Sequence, residues 1–371
     1  MNVLSILKNL VTPKLDPRLS DLFYKEFNSN PLVIYDIGAA GGVYTPFSGG
    51  PSSWAPVVAF EPHPESYRKL QDSLRSKHIS LHKYAISDSD GELDFHAGLG
   101  AAETKSSLLS IDHLGLPSTR QKVTGLRLDS VKNVLGHPAA NFLKLDTEGT
   151  EKLILEGGLS MLDEAVLGIR IEIAFWRDSP QPTAFWEIDR LLTDRGFILF
   201  DLQINRSSSQ LRSFGGRKDK VRSGDALYLK NPESGLASTP KKGSLRSQLL
   251  KLISLSVAWG YLGYALELAD YGRQKNIFSQ QEFDEMATPW LTTQDVSDYL
   301  PSFYGRHTLA RLFDFLSYAF NPNIKKGTPF PFNGLGNHWV VRRMRQRSSK
   351  IELYCPVLKA GSLNRRKKIK L

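Results

Sequence analysis

Ile34-Tyr35-Asp36-Ile37-Gly38-Ala39-Ala40-Gly41-Gly42 reads as a short apolar strand running into an acid-bearing glycine turn. In an open sheet of parallel strands, ligands bind outside the carboxyl ends of the strands, where the strand order reverses. Glycines at such a turn let the backbone pass close to a ligand where a Cβ would clash. Working outward, short apolar runs alternate with helix-like stretches from Leu32 to Lys230, the pattern of an α/β domain with a mainly parallel sheet. The predicted strands are Leu32–Ile37, Val57–Phe60, Ile79–Ala85, Phe142–Leu145, Val166–Ile173, Phe197–Asp201 and Ala226–Leu229. Glu92–His96 and Lys122–Leu128 are predicted as added strands, and Glu65–Lys77, Ser130–Leu135, Glu151–Leu159 and Thr183–Arg195 as helices.

The glycine spacing separates two kinds of ligand. A dinucleotide fingerprint requires G-x-G-x-x-G directly after the strand. Here Gly38 is followed by Gly41 and Gly42 and preceded by Asp36. An acid placed first suits a sulfonium cofactor carrying an amino acid better than a pyrophosphate. The next strand, Val57–Phe60, ends in Glu61-Pro62-His63-Pro64. An acid at that strand end can accept both hydroxyls of a ribose; a surface carboxylate before a helix is the simpler alternative. Phe142–Leu145 runs into Asp146-Thr147-Glu148-Gly149-Thr150-Glu151. Crowded carboxylates raise at least one pKa and can create a base near neutrality. Glu151 is read as a residue that favours the following helix N-terminus. Glu172, between Ile171 and Ile173, is costly in an apolar run unless paired, which marks it as a bonded cleft residue.

Together, Asp36-Ile37-Gly38-Ala39 with Gly42, Ala59-Phe60-Glu61-Pro62 and Lys144-Leu145-Asp146-Thr147-Glu148-Gly149-Thr150-Glu151 resemble the FkbM family of S-adenosylmethionine-dependent methyltransferases. Tyr84-Ala85-Ile86-Ser87-Asp88, Ser106-Ser107-Leu108 and Leu128-Asp129 agree in order, and the resemblance runs from about Leu32 to Lys230. It implies a class I, Rossmann-like methyltransferase fold, a seven-stranded, mostly parallel sheet whose last strand is antiparallel. It implies that Asp36, Gly38 and Gly42 line the methionine end of S-adenosylmethionine, that Glu61 holds the ribose and that Asp88 approaches the adenine. It further implies that Asp146 and Glu148 stand where the acceptor meets the methyl group. Since a hydroxyl is a poor nucleophile, Asp146 or Glu148 is expected to serve as the general base, with Glu172 orienting or substituting. Members of this family usually methylate hydroxyl groups, often on sugars or glycan-linked products. Two departures stand out: Ala40 replaces a frequent Asn, and the loop Ser48–Ser53 is longer than usual. No metal is assigned. The acids are ligands of the type hard cations take, and no histidine in that strand end suggests a transition metal.

The rest of the chain frames this domain. Residues 1–31 form an N-terminal segment whose Leu4, Leu7, Leu10 and Val11 predict a short amphipathic helix within Met1–Pro17. Residues 231–247, rich in Ser, Pro, Gly and Lys, read as a linker, 248–327 as a mainly helical region, and 328–371 as a loop with a basic tail. Helices are expected at Leu249–Tyr271, Gln280–Met286 and Thr293–Phe320; Leu252–Leu266 is too short to span a bilayer. Hydrophobic residues at 41% and charged residues at 23% describe an ordinary globular chain. Cys355 stands alone, which excludes an internal disulfide and fits a cytoplasmic setting. Pro331–Leu371 holds eleven bases against Glu352, so the whole net charge of +10 resides there. Such a tail suits an anionic membrane surface or an acidic partner, or serves only solubility. Nucleic-acid methylation has little support, because no aromatic-flanked Asn-Pro-Pro signature occurs and the core lacks a basic excess. A non-catalytic binding protein on the same fold is the alternative from another class.

Overall fold

The structure, a computed structural model, describes residues 21–44, 55–111, 117–175, 184–206, 221–236, 242–291 and 312. The helix within Met1–Pro17, the loop Ser48–Ser53, the helix Thr293–Phe320 and the basic run lie outside the described residues. Apart from residue 312, the described residues belong to one unit, 1–207 with 220–301.

Helix α1 (Asp21–Ser29) precedes β1 (Ile34–Ile37), β2 (Val57–Phe60), α2 (Pro64–Ser73) and β3 (Ile79–His82). After β4 (Ala85–Ser87) come β5 (Gly91–Gly98), a 3-10 helix (Gly100–Lys105), β6 (Ser118–Arg127) and α3 (Val131–Leu135). Next are β7 (Phe142–Leu145), α4 (Glu151–Glu156), α5 (Leu159–Glu164), β8 (Gly168–Ala174), α6 (Phe185–Thr193), β9 (Phe197–Arg206) and β10 (Val221–Lys230). The described chain closes with α7 (Lys242–Ala258), α8 (Leu262–Gln274) and α9 (Gln280–Leu291). Seven strands form one sheet in the order β3-β2-β1-β7-β8-β10-β9. Pairing is parallel from β3 to β8, and β10 is antiparallel to both its neighbours. This is the expected class I methyltransferase arrangement. Strand order reverses between β1 and β7, which places the ligand crevice above them.

Three predicted elements divide, each for a local reason. Ile79–Ala85 is two strands because β3 stays with β2 only as far as the Phe60–His82 pair, while β4 joins a separate sheet, β4-β6-β5. Glu151–Leu159 breaks at Gly157, where a Cβ would lie 2.1 Å from the Ser87 carbonyl oxygen. Leu249–Tyr271 breaks between α7 and α8 at residues 259–261.

The central strands bury both faces, as a parallel sheet requires. On one face Tyr35, Ile37, Phe60, Leu143, Leu145 and Ile171 pack with Ile154, Leu155, Leu162, Ile188 and Leu192 of α4, α5 and α6. On the other, Ile34, Val57, Phe142, Leu227 and Leu229 meet Phe23 and Phe27 of α1 and Leu249, Leu252 and Ile253 of α7. Residues 249–257 of α7 are buried without interruption, so this helix is apolar all round, the mark of a helix inside a core. Its Ser254 and Ser256 donate to the carbonyls of Leu250 and Leu252, which removes the cost of burying their hydroxyls.

Lys251 ties α7 to the sheet. Its Nζ donates to Asn141 Oδ1 at 3.0 Å and Asn30 Oδ1 at 2.9 Å, and Asn141 Oδ1 also accepts from the Val33 amide. The helical region beyond residues 231–247 therefore shares a core with the sheet. Among the described residues, no helix is long and apolar enough to cross a membrane. Ile253→Ala is expected to destabilise the whole fold by about 2–5 kcal/mol in one cooperative denaturant transition. Separate early melting of the helices, with the sheet unaffected, would show instead that they form a detachable unit.

Candidate active site

Register aligns the site. Ile37 pairs with Phe60 and Leu145, and Leu145 pairs with Ile171. One residue further along these strands stand Gly38, Glu61, Asp146 and Glu172, four of the eight residues singled out from sequence, at a common level above the sheet. Gly38, Glu61 and Asp146 border a cleft of about 510 Å³ that includes open solvent, and Glu172 stands behind its wall.

Gly38 is fixed by space as well as by conformation. Its φ is +82°, and a Cβ there would lie 2.0 Å from the Asp146 carbonyl oxygen. The amides of Gly38 and Ala39 both donate to the Phe60 carbonyl, and Gly42 N donates to Ala39 O to close the turn. Gly42 is exposed and stands away from the cleft wall. Asp36 also lies outside that wall, fully buried beneath the turn. Its Oδ2 accepts from the Tyr44 amide at 2.6 Å, and its Oδ1 lies 3.3 Å from Lys144 Nζ. Burial raises the Asp36 pKa, against the pull of Lys144 and the Tyr44 amide.

Lys144 is the residue that sequence reasoning quoted without giving it a task. It is the register partner of Asp36. Its ammonium donates to the Gly38 carbonyl at 2.8 Å and lies 3.4 Å from Asp146. The signal was present: a lysine inside the apolar run Phe142–Leu145 needs a counter-charge on a neighbouring strand.

Glu61 is buried, and its Oε1 accepts from the His63 amide at 2.8 Å. Burial pushes its pKa up to about 7, against the lowering effect of amide hydrogen bonds from His63 and Ala40. His63 caps α2, its Nδ1 facing the amides of Glu65 and Ser66 and its Nε2 facing the Gly98 carbonyl at 3.2 Å. Asp88 is exposed beyond β4, where it accepts from the hydroxyls of Ser87 and Ser89. It does not border the cleft; Tyr84, Ala85 and Ile86 do. These features fit a nucleoside-bearing ligand: a carboxylate for paired hydroxyls, a largely apolar wall for a flat base, and a glycine where the chain passes closest.

The other half of the cleft is acidic. Carboxylate oxygens of Asp146, Glu148 and Glu172 lie within 4.8 Å of one another. Burial first, then the charges of Glu148 and Asp146, push Glu172 up to about 8. Glu148 has φ +56°, a left-handed conformation that costs a non-glycine residue on the order of 1–3 kcal/mol. Ser107 Oγ steadies that turn through the carbonyls of Thr147 and Glu148. Glu151 folds back beneath it, Oε1 accepting from the amides of Thr147 and Gly149 and the Thr147 hydroxyl. Glu151 thus builds the loop, while Asp146 and Glu148 line the cleft and the Glu172 carboxylate lies close beside theirs. Lys144→Met, which strands the buried Asp36 charge, is expected to cost about 3–5 kcal/mol in chemical denaturation. Adding Asp36→Asn should recover part of that loss; additive losses would break the assigned pairing.

Known proteins bear on this geometry. Residues 36–199 match the methyltransferase FkbM domain model. Among solved structures, the chain is similar to a methyltransferase FkbM from Methylobacillus flagellatus KT, at 16% identity and TM-score 0.28. That match covers 54% of this chain and 43% of the other, so the chain spans less than half of that relative's length. An O-methyltransferase from Bacillus cereus in complex with SAH gives 12% identity and TM-score 0.28, covering 62% of this chain and 88% of that one. The magnesium protoporphyrin IX methyltransferase from Synechocystis PCC 6803 with bound SAM gives 12% and 0.30, covering 57% and 78%. No curated protein gives a significant match. With the seven-stranded order and the cleft at its reversal point, the match leads to one assignment: residues 36–199 carry a methyltransferase FkbM domain.

Proposed function

We propose that the protein transfers a methyl group from S-adenosylmethionine to a hydroxyl of a sugar, glycan or related polyol. The observation that carries this reading is the row Gly38, Glu61, Asp146 and Glu172 along one sheet edge, a nucleoside-binding half beside an acidic half. The sulfonium cofactor supplies an activated methyl group when bound. The chain's work is then mainly positioning. Glu61, preset by backbone amides, is placed to accept two ribose hydroxyls. Gly38 leaves room for the methionine end, and Tyr84–Ile86 flank the base. Asp36 contributes indirectly, holding the turn through the Tyr44 amide.

A hydroxyl is a poor nucleophile near neutral pH, so a base helps. Glu172 is the carboxylate suited to take the proton, because its affinity for protons is raised toward the working range. Asp146 and Glu148 suit neighbouring hydroxyls of the acceptor, since ionised carboxylates only accept hydrogen bonds. The O-selectivity and the polyol class rest on this donor–acceptor match.

Titration calorimetry with S-adenosylhomocysteine tests the cofactor half. Binding is expected, weakened more than about tenfold by Glu61→Ala, the loss of charge-assisted bonds. Absence of binding would favour a non-catalytic protein. Glu61 is ionised above about 7, so affinity should fall as pH drops through that value, and Glu61→Gln should remove this dependence. For an acceptor found with labelled methyl donor, kcat/KM should rise through about pH 8, where Glu172 ionises. An unchanged rise in Glu172→Gln would exclude Glu172 as the base.

A further inference from the structure

We propose that Lys105 is a resident counter-charge of the acidic cluster, its ammonium on Glu148 keeping a divalent ion from the group formed by Glu148, Asp146 and Glu172. Lys105 ends the 3-10 helix Gly100–Lys105, in the segment between β5 and β6. Its Nζ is hydrogen-bonded to Glu148 Oε1 and also feels the charges of Glu172 and Asp146. Three carboxylates this close repel one another, and Lys105 on Glu148, with Lys144 on the far side at Asp146, relieves the repulsion. An ammonium brings three donors to such a group.

The arm that carries Lys105 is anchored on both sides. Glu103 is paired with Lys69 and accepts from Ser66 Oγ at 2.7 Å. Ser107 exchanges backbone hydrogen bonds with His96, and its hydroxyl reaches the carbonyls of Thr147 and Glu148. The ammonium therefore approaches Glu148 from a backbone held on β5, on α2 and on the Glu148 loop itself. Glu148, left-handed and glycine-flanked, is the member of the cluster most in need of a partner to hold its side chain. Lys105 is in this sense a positioning residue, acting on the acceptor through Glu148. Only the word acceptor rests on the methyltransferase reading; the occupancy of the cluster by Lys105 does not.

The test uses Mn²⁺ as probe, with free ion measured by electron paramagnetic resonance on the full chain. Wild type and Lys105→Arg should show no saturable site sensitive to Glu172→Gln. Lys105→Met should gain one Mn²⁺ site at least about tenfold tighter than any in wild type, from removal of one positive charge. That site should vanish in Lys105→Met/Glu172→Gln. Lys105→Gln is a second variant should the methionine chain fold poorly. A wild-type site that Glu172→Gln removes, or no gain in either neutral variant, would overturn the proposal. S-adenosylhomocysteine binding, measured in parallel, separates the two readings: a chain that gains Mn²⁺ but binds no nucleoside retains this inference and loses the cofactor one.

Discussion

The backbones of β1 and β7 leave the sheet in contact, at a point where only a hydrogen fits between Gly38 and the Asp146 carbonyl. Everything that follows in the site depends on this approach. It brings the glycine turn and the acidic loop, 108 residues apart in sequence, to the same level. Lys144 then reaches both sides at once, bonding the Gly38 carbonyl and pairing with Asp36 and Asp146. A larger residue at position 38 would separate the two halves and pull Lys144 from the buried Asp36. The cost of such a stranded charge exceeds that of most surface changes several-fold.

The two halves of the cleft raise their carboxylates by different balances of the same physics. Burial leads at both Glu61 and Glu172. At Glu61 the opposing force is backbone, a pair of amides fixed by the turn and by the cap of α2. At Glu172 the neighbouring acids add to burial, and a side chain, Lys105, opposes them. The Glu61 side is thus preset by main-chain geometry. The Glu172 side is set by a balance among side chains.

Much of this was legible in the chain because it lies in local pattern. The apolar strands, the glycine turn and the acids at strand ends are short-range signals, and they brought out Gly38, Glu61, Asp146 and Glu172 together. Asp36 and Gly42 were found as parts of the turn, but only the fold places them outside the cleft wall. Asp88 follows β4, and that strand leaves the main sheet, so the residue lies outside the cleft wall. Ser107 was quoted within Ser106-Ser107-Leu108 without a role and Lys105 was not found, because both act through tertiary contact alone, on a loop about forty residues away. The packing of α7 was half visible: its apolar run predicted a buried helix, but burial on every side depends on the sheet beneath it.

Lys105 comes from a segment between two antiparallel strands of the smaller sheet, whereas the cofactor row is built into the parallel one. Lengthening or exchanging that segment leaves every register in the parallel sheet intact. The cleft accordingly has one jaw constrained by the fold and one free to diverge. A change confined to that short insertion can redraw the charge beside Glu148 while every strand of the parallel sheet keeps its place.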